Sequence, residues 1–331
     1  MRKYNLAHAQ KVENWFGKEI VNQIVGGSTG FYHPIPIANI PGELFAYNGE
    51  IYGTIRGGSF TSLSDLIDKA TTQGKRQDFP FYKSGSLAVS NSFASLWNVG
   101  VTPVAGGTPT AIPSGTYPTN ATDGSFRQTD VTGSSTLHLT TAYAQATAGP
   151  NTLLLYDRLW HGSNVSHNTN LAQSINGSPS RYLGTDSKGN FAFLEVTTAN
   201  ASTAQTLTMT YVDQDGNAAE AAPALTMIAS AAVTRIPHTP WFIPLNTGDT
   251  GLRRVTQIQF SAARTGVSNL VIGRTLAFLP CPIANQMMIV DGINSAFNLV
   301  RIQNEACLAF IECKGVGTAT GYYGQIILVS T

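Results

Sequence analysis

A mainly β chain, with an antiparallel β-sandwich or jelly-roll body preceded by a small α+β arm, is the fold this sequence predicts, on three observations. Short apolar runs separated by Gly, Pro, Asn and Asp recur through the later part of the 331 residues, which is the pattern of many short strands joined by turns. Several runs, among them TLHLTTAYA from Thr136 and TLTMTYV from Thr206, alternate hydroxyl-bearing with apolar residues, as strands with one buried face do. The third observation is an internal echo. LLLYD at 153–157 is answered by MMIVD at 287–291, and FAFLEV at 191–196 by LAFIEC at 308–313.

The N-terminal arm, 1–78, opens with a helix candidate over 5–25, where Leu6, Val12, Trp15, Phe16, Ile20 and Ile24 share a broad stripe and Gly26-Gly27 ends it. LFAYNGEIYGTIRGG follows, and Asn48-Gly49 between alternating residues is a two-residue hairpin signal. A short helix comes next, with Thr61 or Ser62 as its N-cap and Leu63, Leu66 and Ile67 expected on its buried side. Residues 79–134 read as an extended linker carrying one or two strands or a short helix. Its second half, Pro103 to Gly133, is rich in Pro, Gly, Thr and Ser and should lie over a surface. The body, 135–331, contains two four-strand units in matching order, about 135–213 and 268–331. The spacing within them agrees, apart from extra residues between Trp160 and Phe191 in the first. Both copies are expected as core, and the polar insertion that starts at His161 is expected to reach outward. Between the units, LTMIASAAVTRI, TPWFIPL and VTQIQFSAA should add two or three strands.

Composition narrows function. Charged residues make up 12% of the chain, about half the usual share, and Ser, Thr, Asn, Gln and Gly stand in their place. Burying hydroxyls and amides costs less than burying charge, so this surface predicts an assembly component rather than a freely diffusing monomer. A net charge of +1 supplies no footprint for nucleic acid or an anionic membrane. The sequence has no run of about 18 apolar residues, and MRKYNLAHAQKVENWF has no apolar signal core. Synthesis in a cytoplasm, without a cleaved export signal, is therefore expected. Cys281, Cys307 and Cys313 lie in apolar runs, without the spacing of a disulfide framework or zinc site, and read as small buried hydrophobes.

The candidate chemistry is sparse, and a structural reading competes with each case. Asp213-Gln214-Asp215-Gly216-Asn217 resembles part of a calcium loop but lacks the closing glutamate, and Asp-Gly between strands is an ordinary turn. His161 and His167 read as exposed loop histidines. Asp157 with Asp291, and Glu195 with Glu312, occupy matching repeat positions, and paired carboxylates could serve a glycosidase. They are better explained structurally, the two aspartates as strand ends, one of them in Asp-Gly, and the two glutamates as partners of an arginine such as Arg181 or Arg301. Gly26-Gly27-Ser28-Thr29-Gly30 has no Lys to close a phosphate loop, and no hydrolase, zincin or dinucleotide motif occurs. Trp160, Tyr182, Trp241 and Phe242 could line a sugar site, with core or interface roles favoured. The sequence thus predicts no catalytic, cofactor-binding or metal-binding residue.

GDTGLRRVTQIQFS, LVIGRTLAFLPCPIANQMMIVDGINSAFNLVRI and ACLAFIEC, with TLLLYDRLW and TYVDQDGN, resemble stretches of uncharacterised virion structural proteins of tailed bacteriophages. The likeness covers roughly the C-terminal two thirds and consists of packing and turn signatures, so it transfers no active site. It implies a virion location and a capsid-associated decoration or minor head protein, partnered by its own copies, with a homotrimer expected, and by proteins such as the major capsid protein. Two alternatives stand beside it: a major capsid protein, which needs a long spine helix, and a receptor- or carbohydrate-binding tail module, which needs exposed aromatics on one sheet face.

Overall fold

The structure is a computed structural model, and it describes residues 2–4, 43–47, 50–54, 60–84, 90–232, 235–236, 243–292 and 299–331, with the strands before residue 55 described by their backbone. The expected helix over 5–25 and the glycines 26–30 lie outside these residues. In chain order come β1 (Arg2–Tyr4), β2 (Glu43–Tyr47), β3 (Glu50–Thr54), helix α1 (Leu63–Thr71), β4 (Arg76–Lys83), β5 (Ser92–Ser95) and β6 (Val101–Thr102). Next are β7 (Leu137–Ala146), β8 (Asn151–Ser166), β9 (Gln173–Gly177), a 3-10 turn (Gly184–Ser187), β10 (Asn190–Thr198) and β11 (Gln205–Asp213). The middle holds β12 (Glu220–Ala221), β13 (Leu225–Met227), β14 (Arg235–Ile236) and β15 (Leu252–Phe260). Last come β16 (Val267–Cys281), β17 (Met288–Asp291), β18 (Arg301–Ile302), β19 (Leu308–Lys314) and β20 (Tyr322–Ser330).

The chain divides into two compact units, 1–76 with 131–136 and 329–331, and 77–130 with 137–328. In the first unit β2 and β3 pair antiparallel with Tyr47 opposite Glu50, which is the hairpin register that a two-residue connection sets. The connecting residues 48–49 are outside the described set. Ser62 caps α1 by accepting a hydrogen bond from the Asp65 N–H at 3.0 Å, and the Asp65 carboxylate accepts one from the Thr61 N–H at 2.9 Å. Leu66 is buried as expected, but Leu63 and Ile67 are 57% and 53% exposed. They stand one turn apart on the flank of a helix that buries only the stripe containing Leu66.

The second unit is built on a six-stranded sheet of order β10-β16-β8-β19-β5-β14. Its centre is the long antiparallel pair β8 and β16, which runs from Ser166 opposite Val267 to Asn151 opposite Cys281 with register shifts at Ser268/Leu270, Ile272/Gly273 and Thr275/Ala277. The sheet curls until its end strands, β10 and β14, pack together. The enclosed face carries Leu154, Tyr156, Phe193, Val271 and Ile311 around Trp97. Part of the outer face, with Trp160, Leu194 and Ile272, packs on a second sheet of order β12-β11-β15-β9 through Met209, Tyr211 and Ile258. Farther along, Phe310 of β19 meets Phe81 of β4 at 4.7 Å, joining a third sheet of order β17-β7-β20-β4-β6. The architecture is therefore mainly antiparallel β and sandwich-like, and the middle section supplies three strands, β13, β14 and β15.

The internal echo is preserved in one pair of strands and not in the other. FAFLEV in β10 and LAFIEC in β19 lie in the same sheet, flank the β16-β8 pair, and are almost wholly buried. LLLYD occupies the sheet centre with Leu153 to Tyr156 fully buried, whereas MMIVD forms the end strand β17, where Ile289 is 60% exposed. The expectation that both apolar strands are core fails here, because a four-residue end strand has one hydrogen-bonded neighbour and LLLYD has two. The Pro103 to Gly133 stretch is laid over the sheet, and glycine makes that close approach possible. A Cβ on Gly106 would fall 2.0 Å from the Trp97 ring, and one on Gly115, at φ +63°, would fall 2.1 Å from the Trp160 ring.

Candidate functional site

The titratable residues singled out in the sequence gather mainly around β8. Asp157 and Arg158 are consecutive, and a strand sends consecutive side chains to opposite faces. Arg158 enters the enclosed face and grips Glu195 of β10 with two hydrogen bonds, Nη2 to Oε2 at 3.0 Å and Nη1 to Oε1 at 3.2 Å. Both side chains have no solvent exposure. Asn269 donates a third hydrogen bond to Glu195 at 3.0 Å, and the guanidinium carbon lies 4.5 Å from the centre of the Trp97 ring. Burial pushes the Glu195 carboxyl up, but the Arg158 charge and the hydrogen bonds overcome it and hold the group below the usual carboxylate range. Arg158 Nε also donates to His161 Nδ1 at 2.8 Å, which leaves the imidazole proton on Nε2. Burial, and then the Arg158 charge, push the His161 pKa down to about 2.

Asp157 takes a bidentate pair from Arg181, Nε to Oδ2 at 3.0 Å and Nη2 to Oδ1 at 2.7 Å, and accepts from the Cys307 N–H at 2.8 Å. Two expectations are corrected here: Asp157 lies in the middle of β8 rather than at a strand end, and Arg181, expected opposite a glutamate, pairs with Asp157 instead. The partner of Glu195 is Arg158, which the sequence reading missed. Its signal was an Asp-Arg pair inside the apolar run LLLYDRLW, since two adjacent charges in a buried strand each require a counter-charge. The matching Glu312 is buried in β19 beside Tyr322, and Asp291 is half-buried on β17. The four carboxylates are thus not brought to one cleft. Glu195, held ionised by Arg158, has no proton to give at neutral pH, and what the two arginine pairs do is bind β8 to β10 and to the segment carrying Arg181.

The exposed-loop reading of the two histidines is corrected. His161 is 2% exposed and His167 fully buried, because β8 runs 16 residues, to Ser166, and the outward-reaching part of the insertion starts only after it. Leu171 and Leu183 are the exposed apolar residues there. His167 Nε2 meets Ser268 Oγ at 2.9 Å, its ring packs on Phe260, and burial pushes its pKa down to about 4. Asp213 closes a turn: its Oδ1 accepts from the N–H groups of Asp215, Gly216 and Asn217 at 2.7–2.9 Å. Among the described residues no three His, Cys, Asp or Glu side chains converge as metal ligands. Cys281 and Cys307 are buried free thiols, pushed by burial up to about 11 and about 12, and Cys313 is half-buried. Trp160 is core and Tyr182 packs against it; Trp241 and Phe242 lie outside the described residues. An open depression of about 450 Å³ lies where β5, β8, β16 and β19 end together, lined by Phe93, Asn151, Pro280, Cys313 and Lys314. No helix among the described residues is long and apolar enough to cross a membrane.

No protein-family profile and no curated protein matches the chain. Among solved structures, a mutant VP2 protein of infectious bursal disease virus from derived T=1 particles aligns at 10% identity, over 77% of this chain and 77% of that one, with a TM-score of 0.16. The VP2 subviral particle of the same virus aligns at 8% identity over 77% and 80%, with a TM-score of 0.15. Superpositions at this level establish no common fold.

Proposed function

We propose that this chain is a structural component of a tailed-phage virion, a capsid-associated decoration or minor head protein that works through contacts with its own copies, as a homotrimer, and with the major capsid protein. The observation that carries the reading is where charge and apolar surface lie. A chain already poor in charge places Asp157, Arg158, Arg181, Glu195, Lys83 and Glu312 in its interior, while Ile283, Met287 and Ile289 around the end strand β17 stand 58%, 52% and 60% exposed. An end strand bearing apolar side chains, without a Lys or Pro inside it, invites pairing with another chain. The sequence likeness to virion proteins gives that surface its setting. The second unit is built on β-sheets, which favours a shell-associated β protein over a major capsid subunit organised on a spine helix. The reading includes no catalytic step.

Mass spectrometry and imaging of purified particles, with and without this protein, test the role. It is expected in the particles at a fixed ratio to the major capsid protein, and light scattering of the isolated chain is expected to give a trimer. A monodisperse monomer that is absent from particles overturns the reading.

A further inference from the structure

The outer face of the six-stranded sheet buries a second polar group, which the arginine pairs do not use. Asn151 of β8 and Lys314 of β19 are direct cross-strand partners at the end of their ladder. Glu312 precedes Lys314 by two residues, so it points to the same face, and it sits beside the Tyr322 hydroxyl. All three are interior: Asn151 is 5% exposed, Lys314 4% and Glu312 0%. An amine facing a carboxamide across the ladder, with a carboxylate close enough for its charge to act on that amine, holds the reactants and a proton carrier of an amide exchange. We propose that Lys314 and Asn151 join in an intramolecular isopeptide bond, with Glu312 carrying the protons.

The carboxamide is held for attack. Asn151 Nδ2 donates to Ala148 O at 2.6 Å and to Thr320 Oγ1 at 3.4 Å, while Oδ1 accepts from the Gly315 N–H at 3.1 Å. That N–H polarises the carbonyl and is already aimed at the atom on which negative charge develops in the tetrahedral intermediate. Position 315 requires glycine, since a Cβ there would meet the Pro150 carbonyl oxygen at 2.5 Å. Lys314 Nζ donates to Thr318 O at 2.7 Å. Cross-strand partners have Cβ atoms roughly 4.5–5.5 Å apart, so rotation of the lysine stem carries Nζ from Thr318 to Asn151 Cγ. Burial holds the lysine below its ordinary pKa, against the pull of the Glu312 charge.

In the step itself Glu312 takes a proton from the Lys314 ammonium, and the freed lone pair forms the Nζ–Cγ bond. Glu312 passes the proton to Nδ2, the Cγ–Nδ2 bond breaks, and its electron pair leaves with ammonia. A second proton follows from Nζ through Glu312 and departs with the product as ammonium. One amide replaces another, so no oxidant, reductant or further reactant enters. The open depression lined by Asn151, Lys314 and Gly315 gives ammonia its exit.

Intact-mass spectrometry of the denatured full chain, incubated after purification until its mass stops changing, reads the bond directly. The native chain is expected to be lighter than its sequence by one ammonia, and proteolysis to give a branched peptide joining the Asn151 and Lys314 fragments. Lys314→Arg and Glu312→Gln are expected at their sequence masses. A native chain at its sequence mass, or with the small gain of deamidation, overturns the proposal, as does a loss of ammonia that persists in Lys314→Arg. The native mass decides whether or not either variant folds.

Discussion

Removing one member of the Arg158–Glu195 pair strands the other in a core with no exposure to water. Glu195→Leu alone is expected to cost about 3–5 kcal/mol, the usual penalty for an uncompensated buried charge. Arg158→Met combined with Glu195→Leu should cost much less than the two single changes summed, read as urea midpoints at constant slope. The histidines set the pH dependence. An unfolded histidine titrates near 6.5, and folded His167 and His161 are pushed to about 4 and about 2. The unfolded chain therefore binds more protons below about pH 6.5, and stability that is full above this pH is lost on acidification. Each histidine can contribute up to about 1.4 kcal/mol per pH unit. Glu195, with its lowered folded value, adds loss in the same direction only below its unfolded value of about 4.3. Thermal melts between pH 7 and pH 5 isolate the histidines, and His167→Gln should flatten that slope. At this scale the sequence exposed the need for partners but not their identity: Asp157 and Arg158 are adjacent in the chain, yet each is paired with a residue more than twenty positions away, on a different segment.

Strands with strong alternation or long apolar runs were legible because their pattern follows from one buried face, as in β7, β8, β10 and β11. The hairpin of β2 and β3 and the N-cap of α1 were legible because their signals are local in the chain. The far end of β8 was not. Gly162, Ser163 and Asn164 read as loop, yet Gly162 pairs with Leu270 of β16, and Ser163, at a register shift in that ladder, bridges Ala111 and donates its hydroxyl to Pro109 O at 2.8 Å, none of which a local pattern reveals. The glycines of the 103–133 stretch looked like simple loop composition, yet Gly106 and Gly115 are where that stretch touches Trp97 and Trp160. Gly106→Ala and Gly115→Ala each force a methyl group into an indole ring. Overpacking of this kind typically costs about 1–3 kcal/mol, and at Gly115 the positive φ adds to it. Both changes should lower the unfolding midpoint and alter tryptophan fluorescence. Gly133→Ala, which meets nothing within 4 Å, should cost only what its positive φ imposes and leave the fluorescence unchanged.

Strand order belongs to the whole molecule, and sequence periodicity does not contain it. The last strand, β20, lies between β7 and β4, and β5 joins β19 to β14, so neighbours in space come from distant parts of the chain. The same logic explains why the MMIVD echo could not be placed from its composition: an apolar run has one meaning between two strands and another at the end of a sheet. There its side chains are available to a second molecule. Ile289→Lys changes an exposed residue on an end strand, and such surface substitutions usually stay within about 0.5 kcal/mol of the original stability. If β17 is where copies meet, the same change places a charge in a buried contact, which is costly without a counter-charge. The expected outcome is an unchanged urea midpoint together with a shift from trimer to monomer in light scattering. A variant that keeps the oligomer of the original chain removes β17 from the interface, and a fall in the midpoint measured on the monomer would instead mean that Ile289 supports the fold.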